Sequence, residues 1–366
     1  MPTAYTNARI FTGEGFEEGK AVLTDMGIIT EIVNDDSIPG GYTTIDIGGH
    51  YLAPAFIDLQ IYGGNGRMFS DNPDHETLES TRNYCLGGGA SHFMITLATN
   101  SMDTFLKGIE AVRSYWKSGG EGLLGLHLEG PYINPVKKGA HIAEYIKKPT
   151  LDELKMLMDK GGDVIKMITV APEVCSDEVI DFLLQHVTIV SAGHTNATYS
   201  EAQSGFGKGI MAATHLFNAM TGLQHREPGV VGAIFNDPNV VSSIVCDGVH
   251  VDFAAARIAK KVMGERLFYI TDAVAESKTG SYQHIFKKDR YTLPDGTLSG
   301  SCLTMMKSVK NGIGKVGIAP EESLRMAAEY PGNLLARDMQ IGKIEVHYTA
   351  NFVVFDDAFN VIKVIS

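Results

Sequence analysis

Cysteine, tryptophan and long hydrophobic stretches are scarce in this sequence of 366 residues. The four cysteines, Cys85, Cys175, Cys246 and Cys302, are far apart and form no C-x-x-C pair. This spacing excludes a thiolate zinc cluster and is typical of proteins from a reducing compartment. No apolar run approaches the roughly 18 residues that a membrane helix needs, and the N-terminus has no basic segment followed by an apolar one. We therefore expect a cytoplasmic protein without a signal peptide or a membrane span.

Basic residues are also in deficit. The chain has 31 Lys and Arg residues against 43 Asp and Glu residues, a formal net charge of −12 at pH 7. A protein that binds the phosphate backbone needs the opposite sign, so nucleic acid and anionic membrane are excluded as expected partners. With 44% hydrophobic and 20% charged residues, the composition is that of an ordinary globular protein.

A short apolar run followed by a loop and a helix-like stretch recurs eight times along the chain. The runs are continuous rather than alternating, which favours strands buried on both faces of a parallel sheet. Thr150 and Glu153 have the spacing of a capping box at the start of one of the helices. Eight alternations over about 280 residues predict an α/β fold, a (β/α)8 TIM barrel. The eight runs are 55–60, 92–99, 123–129, 165–172, 188–194, 210–218, 240–248 and 267–273.

The two ends of the chain differ from this pattern. Residues 1–50 predict short strands with turns, and the last 25 residues predict three more strands, at 343–346, 351–355 and 360–364. Each end is too small for a core of its own. We expect residues 1–50 and 336–366 to form one small β-sandwich-like domain beside a barrel of residues 51–335, with two independent appendages as the alternative.

Five ionisable residues fall near the C-terminal ends of different predicted barrel strands. They are Glu129, His194, His215, His250 and Asp272. The C-terminal ends of barrel strands meet at one mouth, where barrel active sites lie. His127 projects to the same side as Glu129, so from the sequence alone either residue could be a ligand.

This set of residues predicts metal-assisted hydrolysis. Two imidazoles and one carboxylate leave an open position on a divalent ion, as in catalytic sites. A bound metal lowers the pKa of water from about 15.7 towards 7. A neighbouring carboxylate can accept a proton and return it to a leaving group, and Asp272 is the candidate for this role.

Several segments, in order, resemble the N-acetylglucosamine-6-phosphate deacetylases, a branch of the amidohydrolase superfamily. They are HLEGPYIN, KKGAH, SAGHTNA, THLFNAM, REPGVVGAI, CDGVHV, TDA and LSGS. The resemblance spans the chain and implies a (β/α)8 barrel with a small β domain built from both termini. It also implies hydrolysis of N-acetyl-D-glucosamine 6-phosphate to D-glucosamine 6-phosphate and acetate, a step of amino-sugar metabolism.

The resemblance implies roles for individual residues. Glu129, His194 and His215 would hold one divalent ion per subunit, usually zinc, although Fe²⁺, Mn²⁺ or Co²⁺ also suits these ligands. Asp272 would be the general base and then the general acid, and His250 would contact the acetyl carbonyl. The relatives are dimers that share phosphate contacts, so Arg226 is expected to act on the partner subunit's substrate. The remaining implied substrate contacts are Ala140, His141, Asn218, Ala219, Asp247, Leu298, Ser299 and Gly300.

The sequence departs from the superfamily pattern at the first barrel strand. Many amidohydrolases have His-x-His there to hold a second metal, whereas this chain has Gln60 and Tyr62. A neutral amide and a protonated phenol are poor metal ligands. We therefore predict one metal ion, with Gln60 hydrogen-bonding close to the reacting water and the substrate.

Three alternatives remain from the sequence. A deacetylase for the galacto epimer would keep the same metal and phosphate residues. Another amidohydrolase, such as a cyclic-amide hydrolase or a deaminase, would not need the REPG and FNAM segments. A non-catalytic sensor of amino-sugar phosphates would not need Asp272 as a proton carrier.

Overall fold

Eight parallel strands form a closed barrel at the centre of the protein. The computed structural model describes residues 1–335 and 339–366, and each barrel strand pairs with the next one along the chain. A parallel bridge between Ile61 and Ala273, which follows the last strand, connects the end of the barrel to the first strand. The barrel strands, numbered 1 to 8 here, are Phe56–Ile61, Ala90–Ala98, Leu123–Glu129, Ile165–Val170, Ile189–Ala192, Ala212–Ala213, Val241–Ile244 and Leu267–Tyr269.

The predicted TIM barrel is confirmed, and each predicted apolar run overlaps one barrel strand. Nearly all residues of these strands are buried, as continuous apolarity predicts. Barrel strand 6 is much shorter than its run. The chain leaves β geometry at His215, whose backbone N–H donates to Ser243 Oγ at 2.8 Å instead of continuing the ladder.

Helices follow the barrel strands and cover the outside of the barrel. The predicted capping box at Thr150 is only half present. Thr150 Oγ1 accepts the Glu153 backbone N–H, but the Glu153 carboxylate binds the Tyr132 hydroxyl and the Lys147 ammonium instead. Thr198 and Glu201 form a complete capping box, which was not among the predicted ones. The α-helices are His75–Gly87, Met102–Lys117, Leu151–Gly161, Asp177–His186, Tyr199–Lys208, Gly229–Asn236, Phe253–Met263, Met305–Asn311, Pro320–Ala327 and Glu329–Asn333, and Gly312–Val316 forms a π-helical turn.

Two further sheets are built largely from the chain ends. The four-stranded sheet contains Thr3–Thr6, Lys20–Asp25, Ile28–Asn34 and Thr43–Asp46. The five-stranded sheet combines both ends of the chain, with Arg9–Phe11, Phe16–Glu17, Tyr51–Pro54, Phe352–Phe355 and Val361–Ile365. Tyr5 and Val22 of the first sheet share an apolar core with Leu52 and Phe352 of the second, which accounts for the sandwich-like packing.

The predicted strand at 343–346 is wrong. This segment turns, and the Tyr348 backbone N–H donates to Glu345 O. Tyr51–Pro54 belongs to the five-stranded sheet although it follows the predicted boundary at 50/51. The other predicted boundary begins at residue 336, which lies outside the described residues. The division into two domains therefore stays a prediction.

Two hairpins complete the described strands. Gly63–Gly64 pairs with Arg67–Met68, and Ile285–Lys287 pairs with Arg290–Thr292. Over residues 1–335 and 339–366, we find no helix with the length and apolarity that crossing a membrane requires.

Candidate active site

A cavity of about 290 Å³ opens at the C-terminal mouth of the barrel. The structure brings most of the predicted site residues to it, from different strands and loops. Gln60 and Asp247 do not line the cavity but hydrogen-bond to residues that do. The predicted site residues in its wall are Glu129, Ala140, His141, His194, His215, Asn218, Ala219, His250, Asp272, Leu298, Ser299 and Gly300.

Unusual backbone conformations place three of these side chains. His194, His215 and Asp272 have positive φ angles of 47°, 38° and 54°. Residues other than glycine rarely adopt this left-handed region, which costs on the order of 1–3 kcal/mol, and such residues cluster at functional sites. The left-handed backbone after barrel strands 5, 6 and 8 therefore sets the directions of these three side chains.

Three atoms that could ligate a metal ion lie close together in the cavity wall. Glu129 Oε1 lies 3.0 Å from His215 Nε2 and 3.3 Å from His194 Nε2. The two imidazole nitrogens are 3.1 Å apart, and all three side chains are almost fully buried. Two imidazoles and one carboxylate aimed at a common point suit a divalent transition-metal ion.

The hydrogen bonds of the rings indicate which imidazoles offer a lone pair. His194 Nδ1 faces the Lys137 carbonyl oxygen at 2.8 Å. A carbonyl only accepts, so Nδ1 carries the proton and Nε2 is free to ligate. His215 Nδ1 is buried without a hydrogen-bond partner in the described parts of the chain, and its Nε2 is the atom that faces Glu129 and His194.

Glu129, His141 and His194 also place their ligand atoms within 4.8 Å of one another. In His141, however, the hydrogen bonds put the proton on the nitrogen that faces Glu129. The Thr99 backbone N–H donates to His141 Nδ1 at 3.3 Å. His141 Nε2 therefore carries the proton when the ring is neutral, and it points at Glu129 Oε2 from 3.1 Å. Burial, followed by the charge of His194, lowers the pKa of His141 to about 4. His141 Nε2 is thus placed to donate a hydrogen bond to Glu129, whereas His215 Nε2 faces both Glu129 Oε1 and His194 Nε2.

The two carboxylates of the site have opposite pKa shifts. Burial raises the pKa of Asp272 to about 6, and the neighbouring charge of Glu129 adds to the rise while that of His215 opposes it. The pKa of Glu129 is held well below its usual range, because His194 and His141 outweigh the effect of burial. A pair of acids with separated pKa values suits a division of roles between ligand and proton carrier.

His250 is oriented by Asp247. His250 Nδ1 lies 2.6 Å from Asp247 Oδ2, and the backbone N–H groups of Val249 and His250 donate to Asp247 Oδ1. The opposite ring nitrogen, Nε2, lies 4.0 Å from Asp272 Oδ2. Asp247 therefore acts through His250, whose free edge faces the cavity beside Asp272.

Gln60 and Tyr62 join the first barrel strand to both carboxylates. Gln60 Nε2 lies 2.8 Å from Asp272 Oδ1 and 3.1 Å from Glu129 Oε1. Tyr62 lines the cavity and its hydroxyl donates to Glu129 Oε2. Burial, followed by the charges of Glu129 and Asp272, raises the pKa of Tyr62 well above its ordinary value, so the phenol is protonated.

His127 lies deeper in the barrel. Its Nε2 is 2.8 Å from Thr169 Oγ1, and burial lowers its pKa to about 4. His127 is absent from the cavity wall. Of His127 and Glu129, Glu129 is the one whose side chain faces the cavity.

Arg226 is not brought to the cavity of its own chain. It is exposed on the loop before Gly229–Asn236. Among the residues that the structure describes, no lysine or arginine lines the cavity.

Part of the cavity wall comes from residues that were not predicted from the sequence. Tyr282 and His284 come from the segment after barrel strand 8, which carries no motif that would single them out. Tyr282 donates to the Thr99 carbonyl oxygen at 2.6 Å, and His284 Nδ1 lies 3.1 Å from Ser299 Oγ. The other missed wall residues are Tyr62, Met68, Ser70, Ala98, Gly139, Val274 and Thr297.

Several known proteins are similar to this chain over nearly its whole length. The family model described as "Amidohydrolase family" matches residues 51–366. The N-acetylglucosamine-6-phosphate deacetylase of Haemophilus influenzae is 36% identical, and the match covers 99% of this chain and 97% of the relative. The crystal structure of N-acetylglucosamine-6-phosphate deacetylase from Pasteurella multocida has a TM-score of 0.95 at 35% identity, covering 100% of this chain and 98% of that one.

The structure of a third similar protein contains a sugar phosphate. This protein is a mutant of N-acetyl-D-glucosamine-6-phosphate deacetylase from Mycobacterium smegmatis, in complex with N-acetyl-D-glucosamine-6-phosphate. Its TM-score is 0.89 at 25% identity, and the match covers 100% of this chain and 97% of that one.

Proposed function

The chain belongs to the amidohydrolase family, and on that premise we propose that it hydrolyses N-acetyl-D-glucosamine 6-phosphate to D-glucosamine 6-phosphate and acetate. The observation that carries the proposal is the convergence of Glu129, His194 and His215 beside Asp272 in one cavity. Whole-chain similarity to deacetylases of this name supports the substrate.

Glu129, His194 and His215 would hold one divalent cation per subunit. The lone pair on His194 Nε2 and the anionic carboxylate of Glu129 suit zinc, with iron, manganese or cobalt as alternatives. When bound, such a cation polarises the amide carbonyl and lowers the pKa of a water molecule.

Asp272 is the proton carrier in this proposal. Gln60 Nε2 binds Asp272 Oδ1, which leaves Oδ2 on the side of His250 to receive a proton. Asp272 takes a proton from the attacking water and returns it to the amide nitrogen as the C–N bond breaks. An amide nitrogen leaves poorly without a proton, so the second transfer is as important as the first.

His250 would stabilise the substrate carbonyl. Its Nδ1 is held by Asp247, so Nε2 faces the cavity next to Asp272. In its imidazolium form His250 donates from Nδ1 to Asp247 and also from Nε2 to the carbonyl oxygen, and this second hydrogen bond strengthens as that oxygen becomes negative during attack. A ring held in place needs no reorganisation at this step.

The sugar phosphate would be bound by loops around the mouth. Ala140 and His141, Asn218 and Ala219, and the segment 298–300 line the cavity and would contact the sugar. No lysine or arginine of the described residues lines it, which supports a homodimer in which the exposed Arg226 binds the phosphate in the partner subunit's site. An arginine fork binds phosphate with two parallel hydrogen bonds.

All four cysteines are free thiols. Together with the metabolic relatives, this supports a cytoplasmic location as part of the proposal.

The test is an acetate-release assay on three sugars, before and after treatment with a chelator. N-Acetylglucosamine 6-phosphate is compared with its galacto epimer and with unphosphorylated N-acetylglucosamine. We expect the highest kcat/KM on the phosphorylated gluco sugar, loss of activity on chelation and recovery when zinc is added.

The other outcomes are informative. Equal rates on phosphorylated and unphosphorylated sugars would contradict the phosphate site. A preference for the galacto epimer would reassign the substrate and keep the chemistry. Tight sugar-phosphate binding without acetate release would make the protein a sensor.

A further inference from the structure

Tyr62 is held firmly at the edge of the cavity. Its backbone N–H donates to Ala273 O at 3.0 Å, and its carbonyl oxygen accepts the Phe69 N–H at 2.9 Å. Tyr62 lies two residues beyond Gln60, and both side chains reach the carboxylates of the site. The phenol therefore occupies a defined position beside Glu129.

The two oxygens of Glu129 have different partners. Oε1 faces His215 Nε2 at 3.0 Å and His194 Nε2 at 3.3 Å. Oε2 faces the Tyr62 hydroxyl and His141 Nε2, the latter at 3.1 Å. The carboxylate thus turns one oxygen to the imidazoles of the proposed cation site and the other away from them.

Both partners of Oε2 are hydrogen-bond donors. The phenol of Tyr62 is protonated at neutral pH, and an ionised carboxylate can only accept. His141 Nε2 carries its proton because the Thr99 backbone N–H occupies Nδ1. Both groups therefore donate a hydrogen bond to Oε2. Hydrogen bonds to a charged acceptor are stronger than those between neutral groups.

We propose that Tyr62 is a positioning residue that, together with His141, holds Glu129 Oε2 by hydrogen bonds, so that Glu129 gives only Oε1 to a cation and the site takes one ion. This inference rests on the proposed cation site. A second ion beside the first would need Oε2 as a bridge, or ligands from the first barrel strand. Oε2 is already bound by two donors, and that strand offers an amide and a phenol.

The test compares zinc affinity in two tyrosine variants. Tyr62→Phe removes the hydroxyl on Glu129 Oε2 and keeps the ring. Tyr84→Phe is the matched control, because it removes a phenol that donates to Leu303 O at 2.7 Å and does not line the cavity. Zinc affinity is measured by competition with a fluorescent chelator, and bound zinc is counted by elemental analysis.

We expect about a tenfold loss of zinc affinity in Tyr62→Phe, since losing a group that orients a metal ligand typically costs 10- to 100-fold. The Tyr84→Phe variant should match the wild type. Equal affinities in the two variants would overturn the proposal. If Tyr62→Phe does not fold, His141→Gln removes the other donor, and wild-type zinc affinity in that variant would also overturn it.

A gain-of-ligand variant tests the limit of one ion. Gln60→His combined with Tyr62→His restores His-x-His on the first barrel strand, and we expect the zinc content to rise from one ion per chain towards two. A zinc content that stays at one would contradict the limiting role of Tyr62. These results are distinct from failure of the proposed function, in which the wild type would bind no zinc or would bind one ion and release no acetate.

Discussion

Replacing Asp272 by asparagine is the most direct test of the proposed chemistry. The substitution keeps the shape of the side chain and its oxygen for the Gln60 amide, which lies 2.8 Å from Oδ1. It removes the basic oxygen that accepts a proton. Asp272 is not one of the three groups proposed to hold the cation, so the metal content of the variant should equal that of the wild type.

The expected loss of turnover in Asp272→Asn follows from the environment of the carboxyl group. Burial raises the pKa of Asp272 to about 6, and a cation held by Glu129, His194 and His215 would attract the anionic form and lower it. At pH 7 at least about nine-tenths of Asp272 is therefore in its basic form. Removing a positioned general acid–base group lowers kcat by roughly 10²- to 10⁴-fold, or about 3–5 kcal/mol in the barrier.

The assay is acetate release from N-acetylglucosamine 6-phosphate between pH 4.5 and 8. For the wild type we expect kcat/KM to rise with pH through an acidic limb centred at about 6 or below, because the base must be ionised. The variant should keep its bound metal, lose most of its turnover and lose this limb. A variant with more than a tenth of wild-type kcat, or with the same acidic limb, would refute Asp272 as the proton carrier.

Three further predictions follow from other parts of the structure. If Arg226 acts across a twofold interface, a dimer of one Arg226→Ala subunit and one Asp272→Asn subunit has one complete site out of two. About half of randomly mixed dimers are of this kind, so the mixture should regain about a quarter of wild-type activity. No recovery would place Arg226 in its own site. Asp58 is buried and its pKa is raised to about 7 by burial. Its contribution to stability is therefore fully present below about pH 4 and is lost as pH rises through about 7. We expect the free energy of unfolding of the wild type, measured in urea relative to that of Asp58→Asn, to fall by about 3 kcal/mol between pH 5 and pH 8. A difference that does not change with pH would contradict this. Removal of the metal with a chelator should lower Tm, and zinc at a hundred times its Kd should raise the free energy of unfolding by about 2.7 kcal/mol. An unchanged Tm would argue against the cation site.

The barrel could be predicted because its signals are local. Runs such as 123–129 are apolar on both faces, and in the structure Leu123–Glu129 is buried throughout. The polar residues at the run ends mark the mouth, since parallel strands point the same way. For the same reason Glu129, His194 and Asp272 could be grouped before any distance was known.

Local signals failed where tertiary contacts compete for a side chain. The Thr150 capping box is incomplete because Tyr132 and Lys147, outside the helix, bind the Glu153 carboxylate. The strand predicted at 343–346 is apolar enough by pattern but turns instead. The contact of Glu153 with Tyr132, 21 positions earlier, cannot be predicted from neighbours in the sequence.

By itself, the order of residues determined the barrel, the set of groups at its mouth and the hydrolytic chemistry they suit, because hydrophobic periodicity and strand direction act over a few neighbouring residues. Only the tertiary structure decided that His141 donates a hydrogen bond to Glu129 while His215 faces the centre, and that Gln60 reaches Asp272, 212 positions away. These outcomes depend on barrel closure, which brings backbone donors such as the Thr99 N–H to particular ring nitrogens.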